Sequence, residues 1–301
     1  MLYANAQWLK CNNVSVVVPE TSLLEVIMKL YVMSDIHYDS YLKSYHGEMV
    51  NFFDSRFLPA DTICIAGDIA NTLADTEKFL KEISARYGNV VLCLGNHDLT
   101  IRWDIKDIYS LKRMFETSEQ KMEALQNLCD SFSNVHMLEG RTVTIDGIRF
   151  GGCMGMWDFS FLEKGGIGKS KSQIEKIWKR DWFDGVHWNY CGQDIQKIRQ
   201  TQFEKINSVL SEEPDVMLTH FSPIQEKIPS WYLNDYVSTY FYFDRKIVTD
   251  YLSKNPGRVW CSGHIHTSYK NNGMLIHPNA YPEEHSRVYN SLYRKDFLIE
   301  L

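Results

Sequence analysis

Val90-Val91-Leu92-Cys93-Leu94-Gly95-Asn96-His97-Asp98 is the stretch on which the reading of this chain turns. Its first five residues are apolar and begin with two β-branched valines, the pattern of a short buried strand. Gly95 then lets the backbone turn sharply where that strand ends. An amide, an imidazole and a carboxylate follow at once. Ligands of α/β proteins gather at the C-terminal edge of the sheet, so this polar trio stands where a site would be. One such edge proves little. The chain makes the same move four more times: Leu30–Ser34 runs into Asp35-Ile36-His37, Asp61–Ala66 into Gly67-Asp68, Pro214–Thr219 into His220, and Arg258–Ser262 into Gly263-His264-Ile265-His266.

Working outward, residues 73–87 carry helical spacing in Leu73, Phe79, Leu80 and Ile83, and strand then alternates with helix, the signature of an α/β domain. Residues 99–134 read as polar and helix-like. Short strands are expected at 135–139 and 142–145, and Asp146-Gly147 is a hairpin turn leading into Ile148–Cys153, where a second sheet begins. Helices are expected at 194–210 and 243–254. Residues 267–301 read as a hairpin or two completing the second sheet. Residues from about 157 to 200 and from about 224 to 243 read as insertions. The first holds Trp178, Trp182, Phe183, Trp188 and Tyr190; the second holds Trp231, Tyr232, Tyr236 and Tyr240. Aromatics at such irregular spacing are expected to pack in a core or cap; the alternative is that they cover the site and stack on a base or sugar of the substrate. Gly165–Ser170 is a flexible loop, because its glycines are too close for a G-x-x-x-x-G-K-[ST] phosphate loop.

With 301 residues, 44% of them hydrophobic, the chain can bury one large core. We expect one domain over 28–301. Residues 1–27 fit the pattern poorly, and Met28 runs into the first strand as a natural start would, so 1–27 read as a leader; the alternative is an N-terminal strand or helix packed on the domain. The net charge of −6 argues against a general nucleic-acid binder. No apolar run approaches the roughly 20 residues that span a bilayer, and no secretory signal pattern is present. Seven cysteines, an odd number with no C-x-x-C, point to a reduced, cytoplasmic protein.

The five strand ends carry the chemistry. Asp35 and His37 are two residues apart, so both can face one side of an extended chain, and the same holds for His264 and His266. A mixture of carboxylate, imidazole and amide suits Mn, Fe or Zn better than Ca or Mg. Alone, any of these histidines reads as a hydrogen-bonded core residue and Asn-His-Asp as an ordinary turn; five in a row on the right edges read as a metal site. His46, His136, His187, His277 and His285 lie outside these blocks and read as ordinary, with His277 near enough to line the site's edge.

In this order the blocks D-x-H, G-D, G-N-H-D, H and G-H-x-H resemble the calcineurin-like metallophosphoesterase superfamily, across about residues 28–301. The resemblance implies a four-layer α/β/β/α sandwich of two mixed β-sheets flanked by helices. It implies a site for two divalent or trivalent transition-metal ions, with Asp35, His37 and His266 on one, Asn96, His220 and His264 on the other, and Asp68 bridging them. His97 would be the general acid and Asp98 the carboxylate that orients it. The second block departs from the family's common pattern: Gly67-Asp68-Ile69-Ala70 is followed by Asn71, read as structural and not as a ligand. The implied activity is hydrolysis of phosphate esters, on a small or macromolecular substrate. A nuclease is open but not favoured, and a non-catalytic scaffold of the same fold would be expected to lose ligands that this chain keeps.

Overall fold

The central parallel strands of this protein are short, apolar and almost wholly buried, because they lie between a second sheet on one side and helices on the other. The computed structural model describes residues 8–11, 14–17, 27–40, 52–53, 57–107, 109–110, 112–164, 168–228, 235–278 and 297–301. In chain order the elements are β1 (Trp8–Cys11), β2 (Val14–Val17), β3 (Lys29–Met33), β4 (Thr62–Ala66), α1 (Leu73–Ser84), β5 (Asn89–Cys93), β6 (Ile105–Asp107), β7 (Lys112–Arg113), α2 (Ser118–Asp130), β8 (Val135–Met137), β9 (Arg141–Ile145) and β10 (Ile148–Cys153). There follow α3 (Ser160–Lys164), α4 (Lys171–Asp181), α5 (Phe183–His187), α6 (Ile195–Ser211), β11 (Val216–Thr219), α7 (Arg245–Lys254), β12 (Val259–Ser262), β13 (Tyr269–Asn271), β14 (Met274–Ile276) and β15 (Leu298–Glu300).

One sheet has the order β15-β3-β4-β5-β8 and the other β13-β14-β12-β11-β10-β9. In the first, β3, β4, β5 and β8 are parallel and β15 is an antiparallel edge. In the second, β14, β12, β11 and β10 are parallel, with β13 and β9 as antiparallel edges. The sheets pack face to face, β10 and β11 over β4 and β5, and β14 over β3. Side chains alternate accordingly. Val216 and Leu218 of β11 join the core between the sheets, while Met217 joins a second core under the helices with Trp260, Ile198 and Val209. Helix α1 lies on the first sheet through Phe79, Leu80 and Ile83, capped by Thr72; α6 covers β9 and β10, and α7 covers β12. This is the expected four-layer sandwich.

Two expectations change. The tail does not only complete the second sheet: β13 and β14 do, but β15 returns to pair with β3 of the first. Residues 99–134 are not helical throughout. Helix α2 starts at the capping box of Thr117 and Gln120, and the exposed stretch before it forms the small hairpin β6–β7. Nearer the start of the chain, β1 and β2 pair antiparallel with each other. Trp231, Tyr232, Gly165–Ile167, His46 and His285 lie outside the described residues.

Candidate metal centre

Parallel pairing points the ends of β3, β4 and β5 at one edge, and the ends of β11 and β12 meet them there. The turns interlock through backbone hydrogen bonds: Asp35 N donates to Gly67 O (3.0 Å), His37 N to Asp68 O (3.0 Å) and Gly263 N to His220 O (3.0 Å). Gly95 is required by this closeness, since a Cβ there would lie 2.2 Å from Asp68 Oδ1. The turns are also strained. Asp35, His37, Asp68, His264 and His266 all have positive φ, between 44° and 71°. Left-handed backbone costs a non-glycine residue of order 1–3 kcal/mol, and such conformations cluster at functional sites.

The strain aims polar atoms at each other. Asp68 Oδ2 is 3.6 Å from His37 Nε2 and 3.3 Å from His220 Nε2. On the first side, His266 Nε2 is 3.3 Å from both His37 Nε2 and Asp35 Oδ1. On the second, Asn96 Oδ1 is 2.8 Å from His220 Nε2. Asp35, His37 and His266 offer ligand atoms all within 4.8 Å of one another; so do Asp68, His220 and His264, and so do His37, Asp68 and His97.

Their outer hydrogen bonds decide which atoms turn inward. His220 Nδ1 donates to Ala66 O (2.8 Å) and His264 Nε2 to Tyr240 O (3.0 Å), so His220 Nε2 and His264 Nδ1 are the nitrogens left to face the site. Asn96 Nδ2 donates to Asp184 Oδ1 (2.9 Å), which leaves its Oδ1 facing His220. Asp68 Oδ2 and Asn96 Oδ1 thus meet His220 Nε2 within hydrogen-bond distance. In the protein alone a proton on His220 Nε2 bonds these oxygens; a transition-metal ion, which this donor set suits, would take that proton's place. His266 is 40% exposed at its side chain whereas Asp35 and His220 are fully buried, so the cluster opens to solvent on the His266 side.

Burial alone would raise the Asp35 carboxyl, but His266 and His220 together outweigh it and bring the pKa down to about 2. Burial would lower His220; Asp68 overrides that and raises it to about 9, the mark of a position that attracts positive charge. Burial pushes His97 down to about 3 against the pull of Asp68, and His264 to about 3 with His220 adding to the effect.

Asp98 does not orient His97. Its carboxylate accepts four backbone N–H groups, from Gly95 (2.7 Å), Asp68 (2.9 Å), Ile69 (3.0 Å) and Ala70 (3.2 Å), and so ties the turn after β5 to the turn after β4. His97 Nδ1 instead bonds Asn71 Oδ1 at 2.9 Å, and Asn71 Nδ2 donates to Asp39 Oδ2 at 2.8 Å. Because the Asn71 amide nitrogen is turned to Asp39, its oxygen faces His97, which must then donate from Nδ1.

Several neighbours of the site were not legible in the sequence. Phe183 stacks on His97, ring centres 4.2 Å apart. Trp188 Nε1 donates to Asn96 O (2.8 Å). Lys121, fully buried, donates to Asn71 O and Thr100 O, both at 2.7 Å, and pairs with Asp104 at 2.8 Å. The first insertion therefore reaches the metal face through α5, while Trp178, Tyr190, Tyr240 and Tyr242 pack in the core under the helices. His277 is buried, with its ring stacked on Phe297 at 4.1 Å, and its carbonyl accepts from Ser34 N (3.0 Å), the residue before Asp35.

Comparison with known proteins agrees with this geometry. A protein of Acanthamoeba polyphaga mimivirus is 25% identical over 276 residues, covering 86% of this chain and 92% of its own. The crystal structure of the phosphopantetheinyl hydrolase of Mycobacterium tuberculosis superposes with a TM-score of 0.63 at 18% identity, covering 91% of this chain and 95% of that one, a likeness of fold. Residues 28–268 match the calcineurin-like phosphoesterase family as a whole. With its turns, its carboxylates and its imidazoles where such a site needs them, this chain belongs to the calcineurin-like phosphoesterase family.

Proposed function

We propose that the protein is a hydrolase of phosphate esters working with two transition-metal ions, Mn, Fe or Zn. The observation that carries this reading is the position of Asp68 Oδ2, between His37 Nε2 and His220 Nε2. One carboxylate oxygen faces two separate groups of lone pairs. Asp35, His37 and His266 would hold one ion, Asn96, His220 and His264 the other, with Asp68 shared. Bound there, the ions would supply an activated water and a clamp for the phosphate oxygens.

The chain's own residues supply the rest. His97, beside this cluster, delivers a proton from Nε2 to the leaving oxygen. Asn71 holds its Nδ1–H and Phe183 packs on its ring. Burial keeps the His97 pKa near 3 in the protein alone, so the acid role relies on the bound phosphate's negative charge to raise it. The opening beside His266 admits the ester. The six cysteines whose side chains the structure describes, Cys64, Cys93, Cys129, Cys153, Cys191 and Cys261, are free thiols, which fits a reducing compartment such as the cytoplasm. Among the described residues no helix is long and apolar enough to cross a membrane.

The test is a paired screen of an aryl monophosphate and a bis-aryl phosphate, with Mn returned to chelator-stripped protein. A phosphopantetheinyl ester is added because the fold neighbour is named for that group. Mn-dependent turnover lost in Asp68→Asn is expected. Absence of Mn-dependent turnover on every ester, or turnover indifferent to Asp68→Asn, would overturn the reading.

A further inference from the structure

We propose that Asp184, a residue of the first insertion, is a positioning residue for the metal centre: it holds the Asn96 amide in the one orientation that turns Oδ1 toward the ion. The inference rests on the two-ion reading above and assigns the insertion a part in building the site.

An asparagine ligand has a weakness that an aspartate lacks. Its two ends are nearly the same shape, and a half-turn about the last bond replaces an acceptor with an –NH2 that cannot bind a cation. Something must break that symmetry. Asp184 Oδ1 does so by accepting from Asn96 Nδ2 at 2.9 Å. The flipped amide would set its oxygen against the Asp184 carboxylate, acceptor against acceptor, and would put its –NH2 where Oδ1 now lies, 2.8 Å from His220 Nε2, the position the ion needs.

Asp184 is fully buried, so its preference is not diluted by water. It is itself firmly held. Gly185, next in α5, is pressed so closely on α4 that an added Cβ would lie 2.0 Å from Trp178 O. Trp188, just past the end of α5, fixes the Asn96 backbone by donating from Nε1 to its carbonyl at 2.8 Å. One short helix and the residue after it therefore grip both the side chain and the main chain of Asn96.

Loss of a partner that orients a ligand typically costs about 10–100-fold in metal affinity. Mn binding is measured by equilibrium dialysis with elemental analysis on the full chain. In Asp184→Ala one Mn site should weaken about 10–100-fold, while the other, made by Asp35, His37 and His266, stays within a few-fold. Asp184→Asn keeps an acceptor oxygen and should bind Mn within a few-fold of the parent, a rescue that a requirement for negative charge would not allow. If Asp184→Ala does not fold, Asp184→Leu fills the space without an acceptor and should show the same selective loss. Two unweakened Mn sites in the Ala or Leu variant would overturn the proposal, as would an Asn variant no better than Ala. A parent protein that binds only one Mn would instead refute the two-ion reading, and Asp184 would still be judged by whether that one site weakens.

Discussion

Lys121→Met is the sharpest test of how the turns around the site are held. Lys121 sits on α2 with no exposed side chain, and its three ammonium protons have three partners: Asn71 O and Thr100 O at 2.7 Å each, and the Asp104 carboxylate at 2.8 Å. Methionine keeps the stem's volume but leaves two carbonyls and a buried carboxylate without their cation. Removing one partner of a buried pair costs about 3–5 kcal/mol. In a domain of this size each kcal/mol lowers Tm by roughly 2–4 °C, so a fall of about 6–20 °C is expected by calorimetry or circular dichroism. The denaturant slope should stay unchanged, which separates lost stability from a changed unfolded state. The double variant Lys121→Met/Asp104→Asn removes the stranded charge and should recover part of the loss. Activity should fall as well, because Lys121 steadies the Asn71 backbone whose side chain holds His97. A Tm within about 2 °C of the parent, or a double variant as unstable as the single one, would refute the reasoning.

His97→Asn should keep its metals and its fold. It should lose about 10²–10⁴-fold on alkyl esters and clearly less with a nitrophenyl leaving group; equal losses in steady-state assays would remove the acid role. Asp98→Ala should lower Tm and metal content together and reduce activity on both kinds of ester alike, since four backbone N–H groups lose their acceptor; a loss confined to alkyl esters would return Asp98 to His97. Mn added to chelator-stripped protein should raise Tm, by the equivalent of about 2.7 kcal/mol at one hundred times the dissociation constant. An unchanged melt would mean that the convergent lone pairs do not hold Mn.

The proposed metal ligands were legible because each is announced locally: an apolar run, often a glycine, then oxygen or nitrogen side chains. Parallel pairing does the rest, since strands that run the same way must end on the same edge. The residues that aim those ligands have no such local mark. Asp184 lies 88 positions from Asn96 and Lys121 lies 50 from Asn71, so only the folded chain makes them neighbours. Adjacency even misleads. Asp98 follows His97 directly, yet a carboxylate at that turn finds four backbone N–H groups nearer than an imidazole pointing the other way, while the true partner, Asn71, is 26 positions back. The tail misleads for the same reason. Leu298–Glu300 carries nothing that distinguishes one sheet edge from another, and its choice of β3 depends on where the chain has been brought by residue 297. Ligand identity is thus a local property of this chain and ligand orientation a global one. A substitution in the first insertion, far in sequence from every metal block, should therefore disturb the site more than many substitutions made beside the blocks themselves.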